Sequence, residues 1–213
     1  MKPKNFPVVT AVFVIINIIF YALFKGNPNI FALSRDALTA KSIFLHYLMH
    51  GSPASLVIYT CFLAVFGTLF EHLVSRRQML FFYLAGSVLS GVFYLAASSG
   101  TVRGAEVSLL GCGGGLGALI GACGIICKKV SFKIKSFVVP VMALIGFCFC
   151  VLILMALSGI ASPCVPDNYQ SAWAMVGGYL FGVSYGYRAM KNGEQLLARK
   201  TKPKGKKTSK KKR

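Results

Sequence analysis

Six long stretches without a charged side chain constrain this 213-residue sequence more than any other feature. All 24 basic and 5 acidic residues lie outside these stretches. Each stretch is about long enough to cross a hydrocarbon core of roughly 30 Å as a helix that satisfies its own backbone hydrogen bonds. The stretches are Pro7–Phe24, Ala54–Phe70, Met79–Ser98, Val107–Cys127, Phe137–Ile160 and Ser171–Tyr187.

A soluble fold of this size has too little polar surface to cover six such helices. The composition is 55% hydrophobic and only 14% charged, which is typical of a polytopic membrane protein. We therefore predict an all-α membrane protein with a bundle of six transmembrane helices. Lys2 and Lys4 precede the first stretch as they would in a signal peptide, but its apolar run is longer than a signal core. We expect a retained first span.

The basic residues predict the orientation of the chain in the membrane. If the N-terminus is inside, 20 of the 24 basic residues fall on the cytoplasmic side, and only Lys25, Arg35, Lys41 and Arg103 fall outside. Cytoplasmic loops of membrane proteins carry an excess of Lys and Arg. Both termini are therefore predicted to be cytoplasmic, and we expect the inner membrane of a bacterium.

A polybasic segment at the C-terminus provides much of the formal charge of +19. We predict a membrane domain over residues 1–190 and a disordered cytoplasmic tail over 191–213, because such a run cannot bury apolar surface. Attraction to anionic lipid headgroups, about 1 kcal/mol per basic residue, is favoured over nucleic-acid binding. A tail that only fixes the topology is an equal alternative. The candidate lipid contacts are Lys206, Lys207, Lys210, Lys211, Lys212 and Arg213.

Two glycine-rich helices are expected to pack closely against each other. Glycine lets helix backbones approach closely in lipid. In the fourth and sixth stretches we assign this packing role to Gly111, Gly114, Gly117, Gly178 and Gly182. The glycine cluster of the fourth stretch does not fit a phosphate-binding loop, because it lacks the preceding strand and the third glycine of that motif. The seven cysteines form neither a disulfide framework nor a metal-binding pattern, so we expect no metal and no cofactor.

Two motifs resemble those of rhomboid intramembrane serine proteases. The sequence Gly-Cys-Gly-Gly-Gly-Leu at 111–116 resembles the family's Gly-x-Ser-Gly nucleophile motif. The sequence from Ala174 to Gly182 resembles the Ala-His-x-x-Gly-x-x-x-Gly helix. The likeness extends from Phe6 to Tyr187 and includes Asn17, the segment 44–52 that contains His46 and His50, and a helix end at Glu71. It implies loop-packing roles for both histidines, and we expect Glu71 to anchor a loop through Arg76 or Arg77.

The chain departs from the family pattern at four positions. The resemblance places the catalytic serine and histidine at Gly113 and Met175, and the His-x-x-x-Asn oxyanion pair at Ser55 and Tyr59. Glycine offers no nucleophile and methionine no proton-accepting nitrogen. Loss of such a unit typically costs on the order of 10⁴–10⁶ in rate.

The resemblance therefore implies a pseudoprotease that binds transmembrane helices of client proteins without cleaving them. An alternative is an active protease with a non-standard residue pair, in which Cys112 or Ser108 would supply the nucleophile. His50 lies on the same predicted side of the membrane as Cys112 and is its candidate base. A small transporter is a third hypothesis, which the absence of ionisable residues from the six stretches disfavours.

Overall fold

The computed structural model describes residues 6–36, 38–97, 101–102, 105–106, 108–127, 131–134, 137–158 and 171–201. Within these ranges the chain is predominantly helical, which agrees with the predicted all-α class. The helices are α1 (Val8–Phe24), α2 (Ala40–Leu45), α3 (Pro53–Glu71), α4 (Arg76–Ala97), α5 (Gly113–Ile126), α6 (Val141–Ser158) and α7 (Ser171–Thr201). Short 3₁₀ turns occupy Pro28–Phe31 and His46–Leu48.

Two short antiparallel hairpins connect helices. Strands β1 (Thr101–Val102) and β2 (Ala105–Glu106) pair between α4 and α5. Strands β3 (Ser131–Ile134) and β4 (Phe137–Pro140) pair between α5 and α6. The predicted fifth stretch, Phe137–Ile160, is therefore wrong at its start, because its first four residues pair with β3 and the helix begins only at Val141.

Each of the six predicted stretches overlaps one of the helices α1, α3, α4, α5, α6 and α7. In the described part of the chain, α3 and α4 are long and apolar enough to cross a membrane. Helices α1 and α5 are apolar but shorter.

Helix α5 lies at the centre of the bundle. Every residue from Gly113 to Cys123 is buried. Helix α7 packs along α5, while α3 and α4 also contact α5 and α1 packs on α3. Because small residues dominate α5, the neighbouring helices come close to its backbone. Helix α6 contacts the core through Val141, Ile145 and Cys148, which are buried and spaced one helical turn apart.

The predicted fourth stretch, Val107–Cys127, is wrong in its first part. The backbone of Leu109 pairs with that of Leu33 through N–H···O bonds of 2.8 and 3.1 Å, so the chain is extended there. Gly111 then adopts a φ of +98°, a left-handed conformation that favours glycine. Its N–H donates to the His46 carbonyl at 3.0 Å. The helix can begin only after this turn, at Gly113.

Helix α7 is longer than the predicted sixth span. It continues to Thr201, so the boundary predicted at residue 190 falls inside a helix, while the disordered tail stays a prediction. The six basic residues assigned to lipid contact, which lie between 206 and 213, are outside the described residues.

Glu71 joins the end of α3 to the beginning of α1. Its carboxylate accepts hydrogen bonds from the N–H groups of Val9 and Thr10 at 3.0 and 2.9 Å, and from the Thr10 hydroxyl at 2.9 Å. The expected anchor through Arg76 or Arg77 is therefore wrong. The first N–H groups of a helix have no partner within the helix, and a carboxylate there also complements the helix dipole.

Candidate site at the beginning of α5

Gly113 begins α5 at a point where α3 and α7 converge. A Cβ atom placed on Gly113 would lie 3.3 Å from Cγ of Met175 on α7 and 3.5 Å from the hydroxyl oxygen of Tyr59 on α3. The fold therefore brings together three of the four positions that the resemblance predicted to be altered catalytic positions. The side chains nearest to this Cβ position offer a thioether and a phenol, neither of which is a general base at neutral pH.

Ser55, the fourth position, forms part of the N-terminal cap of α3. It forms a reciprocal capping box with Ser52, in which the Ser55 N–H donates to the Ser52 hydroxyl oxygen and the Ser52 N–H donates to the Ser55 hydroxyl oxygen. The Ser55 hydroxyl also donates to the Ser52 carbonyl at 2.8 Å. Because these bonds occupy the side chain, its role in this structure is to cap a helix.

The glycines of α5 and α7 set the distance between these helices. A Cβ on Gly178 would collide with the carbonyl of Gly114, and one on Gly182 would collide with the carbonyl of Ala118. From the other side, a Cβ on Gly117 would lie 2.6 Å from the carbonyl oxygen of Met175. The two backbones are thus in direct contact, which fixes Met175 over Gly113.

One residue assigned to this packing lies before α5, and another contacts α4 as well as α7. Gly111 lies before α5 in the left-handed turn and is not a helix-packing residue. A Cβ on Gly114 would also collide with Ser90 of α4, so Gly114 is enclosed from two sides. The sequence pattern of α5 alone does not predict this additional contact with α4.

Two buried histidines support the loop that leads to the site. His46 is 1% exposed, and its Nδ1 donates to the carbonyls of Ser42 and Ile43 at 3.0 and 3.1 Å. Burial lowers the pKa of His46, although these two hydrogen bonds oppose the shift. The side chain thus closes the turn that α2 makes before α3.

His50 connects the loop to α1. It is 2% exposed, and its Nε2 donates to Oδ1 of Asn17 at 2.9 Å, while Nδ2 of Asn17 donates to the Phe13 carbonyl. Burial lowers the pKa of His50 to about 4, so the ring is neutral at physiological pH. With Nε2 protonated, Nδ1 is an acceptor, and it has no partner within the described residues. The sequence placed Asn17 and His50 separately, but their contact depends on the tertiary fold.

The alternative nucleophiles have different environments. Cys112 is fully buried beside Tyr83 and Tyr59, immediately before α5. Ser108 lies in the extended segment before Leu109 and has a partner in the structure. Over the described ranges, no group of three or more His, Cys, Asp and Glu side chains could hold a metal ion.

Comparison with models of known protein families identifies the family of this chain. A family model described as the rhomboid domain matches residues 38–192. The chain belongs to the rhomboid family. No curated protein matches this rhomboid in sequence.

Family membership makes the chain a membrane protein, because rhomboids are embedded in the bilayer. This accounts for the many exposed apolar side chains of the bundle, such as Phe81, which is 80% exposed, and Ile15, which is 55% exposed. Such residues would form large apolar patches on a soluble protein, but in this rhomboid they face lipid.

Proposed function

We propose that this rhomboid is a pseudoprotease that binds transmembrane helices of client proteins without cleaving them. The observation that carries the proposal is the contact of Gly113 with Met175 and Tyr59. A serine hydrolase needs a nucleophile within hydrogen-bond reach of a base. Here the helix start contributes no side chain, and the facing residue contributes a thioether.

The proposal extends to the arrangement in the membrane. Six helices, α1, α3, α4, α5, α6 and α7, cross the bilayer, and both termini are cytoplasmic. Support comes from the six charge-free stretches and from the distribution of basic residues, 20 of which lie on one side. In this arrangement Gly113 and Met175 are near the outer side of the membrane.

A surface of α3 offers a place for a client helix. Ala54, Val57, Cys61 and Ala64 are exposed and follow one another at spacings of three, four and three residues. They therefore lie on one side of the helix, which we name the α3 exposed face. Three of the four side chains are small, and small residues allow close approach between transmembrane helices.

The exposed faces of α1 and α4 differ in kind. The corresponding surfaces of α1 and α4 carry large side chains such as Ile15, Ile19 and Phe81. Large side chains suit contact with disordered acyl chains but keep a second helix backbone at a distance. Among α1, α3 and α4, the α3 exposed face is for this reason our candidate for client binding.

Photocrosslinking tests client binding directly. A photoreactive amino acid at Val57, on the α3 exposed face, should crosslink a co-reconstituted single-span membrane protein. Leu89 on α4 is the matched control, because it is a similarly apolar and exposed position. We expect adducts from position 57 and none above background from position 89. Equal yields from both positions would contradict client binding at α3 and indicate random encounter in the bilayer.

A further inference from the structure

A cavity lies at the end of the bundle opposite to Gly113. It has a volume of about 580 Å³ and opens beside the turn that joins α3 to α4. The start of α1 forms another part of its wall. Its lining residues are Phe6, Pro7, Glu71, His72, Val74, Ser75, Arg76 and Arg77.

The cavity has a cationic wall whose two guanidinium groups pair with no carboxylate of the described residues. Arg76 and Arg77 are exposed, and neither guanidinium has a hydrogen bond or ion pair with any residue that the structure describes. Glu71 is the one carboxylate in the lining, and its oxygens accept the three hydrogen bonds from Val9 and Thr10. The cavity therefore presents two guanidinium groups to a ligand, and guanidinium matches phosphate in charge and geometry.

A buried ring nitrogen adds a second requirement for the ligand. Nδ1 of His72 lies 2.6 Å from the Thr68 carbonyl, so Nδ1 carries the proton and donates it. In the neutral ring, Nε2 is then an acceptor. This atom is buried and has no partner among the described residues, although His72 lines the cavity. A matching ligand carries a hydroxyl or amine donor in addition to its anionic group.

Apart from the Ser75 hydroxyl, which donates to Gln78, the remaining wall of the cavity is apolar. Phe6, which is 71% exposed, lies with Pro7 and Val74 on this side. Helix α1 begins at Val8 and continues from there with exposed apolar residues, including Val12, Ile15 and Ile19. Because ends of membrane-spanning helices lie at the lipid–water interface, an acyl chain could follow α1 from the mouth of the cavity.

We propose that this cavity binds the headgroup of an anionic phospholipid that carries a headgroup hydroxyl, such as phosphatidylglycerol. The phosphate contacts Arg76 and Arg77, and a headgroup hydroxyl donates to Nε2 of His72. The acyl chains leave past Phe6 and Pro7. The described residues that line the site are distinct from the α3 exposed face, and the proposal does not depend on whether the protein cleaves clients.

Lipid retention by the purified full-length chain tests the site. Delipidated protein in detergent is titrated with phosphatidylglycerol, phosphatidylcholine or inorganic phosphate, and bound lipid is counted by native mass spectrometry. We expect one tightly bound phosphatidylglycerol and no comparable phosphatidylcholine. Inorganic phosphate should neither bind comparably nor displace the lipid. Displacement by millimolar phosphate would show a free-anion site and overturn the proposal of a lipid.

Matched variants connect the lipid to the cavity. Arg76→Gln with Arg77→Gln should weaken phosphatidylglycerol binding by at least about tenfold, because charge-assisted hydrogen bonds to phosphate are lost. Arg188→Gln with Lys191→Gln removes two exposed positive charges from α7 and should leave the lipid bound. Equal affinity in the two double variants would overturn the proposal. If the first double variant is unstable, each arginine is substituted singly and judged by the same comparison.

The histidine is tested with a lipid of equal charge. Phosphatidylmethanol has the same phosphate diester but no headgroup hydroxyl, and it should bind roughly fivefold more weakly than phosphatidylglycerol. The His72→Leu variant should lose this preference while still requiring the arginines. Preservation of the preference in His72→Leu would refute the assigned role of Nε2.

Discussion

The direct contact between α5 and α7 makes a strong prediction for Gly178→Ala. A methyl group there would collide with the carbonyl of Gly114, which is backbone and cannot rotate away. Overpacking of this kind typically costs about 1–3 kcal/mol. The matched control is Gly146→Ala in α6, where a Cβ has no atom within 4 Å outside its own helical turn. That change should stabilise the helix by about 0.5–1 kcal/mol through the lower conformational freedom of alanine.

The free energy of unfolding of the two variants should therefore differ by roughly 1–3 kcal/mol, which is the cost of overpacking alone. Both can be measured by titrating the detergent-solubilised protein with a denaturing detergent and following helix content. The difference, and not either value alone, is the test, because both variants gain the same helix propensity. Equal unfolding midpoints would refute the close contact of the backbones at Gly178 and with it the placement of Met175 over Gly113.

Two further predictions concern the buried polar groups. Because burial lowers the pKa of His50 to about 4, its contribution to stability is complete above the unfolded-state value of 6.5 and is lost as pH falls from 6.5 towards 4. The unfolding free energy should fall in that window by up to about 1.4 kcal/mol per pH unit, and His50→Gln should reduce the slope in a pH series of unfolding titrations. Glu71→Gln should lower the unfolding free energy by about 1–3 kcal/mol because it removes the charge that holds the start of α1, whereas Asp36→Asn, at an exposed carboxylate, should change it little. Equal stability of those two variants would contradict the capping role of Glu71.

The sequence predicted the features that depend on local pattern. The six apolar stretches mark where the long helices lie, because each is a property of consecutive residues. The spacing of Gly178 and Gly182 identifies the face of α7 that contacts α5, since residues four apart share a helix face. The positions predicted to correspond to protease residues were assigned from order along the chain, and the fold brings Gly113, Met175 and Tyr59 together.

Features that depend on contacts between residues far apart in the chain could not be predicted from the sequence. Helix α5 begins late because Leu109 pairs with Leu33, which is remote along the chain, and because Gly111 is left-handed. Glu71 was expected to pair with the arginines that follow it, but its partners are 61 and 62 residues earlier. The pattern of apolar residues along the sequence cannot predict either contact, because both contacts involve backbone groups, which are common to all residue types.

Cleavage by the purified protein tests the central claim most directly. The unmodified chain is reconstituted in liposomes with a transmembrane substrate that an active rhomboid cleaves, and the products are followed by gel electrophoresis. We predict no cleavage above that of empty liposomes, and no labelling by a fluorophosphonate, because Gly113 and Met175 provide neither nucleophile nor base. Robust cleavage that is abolished by Cys112→Ala or Ser108→Ala would contradict the pseudoprotease and establish an active protease with a non-standard residue pair.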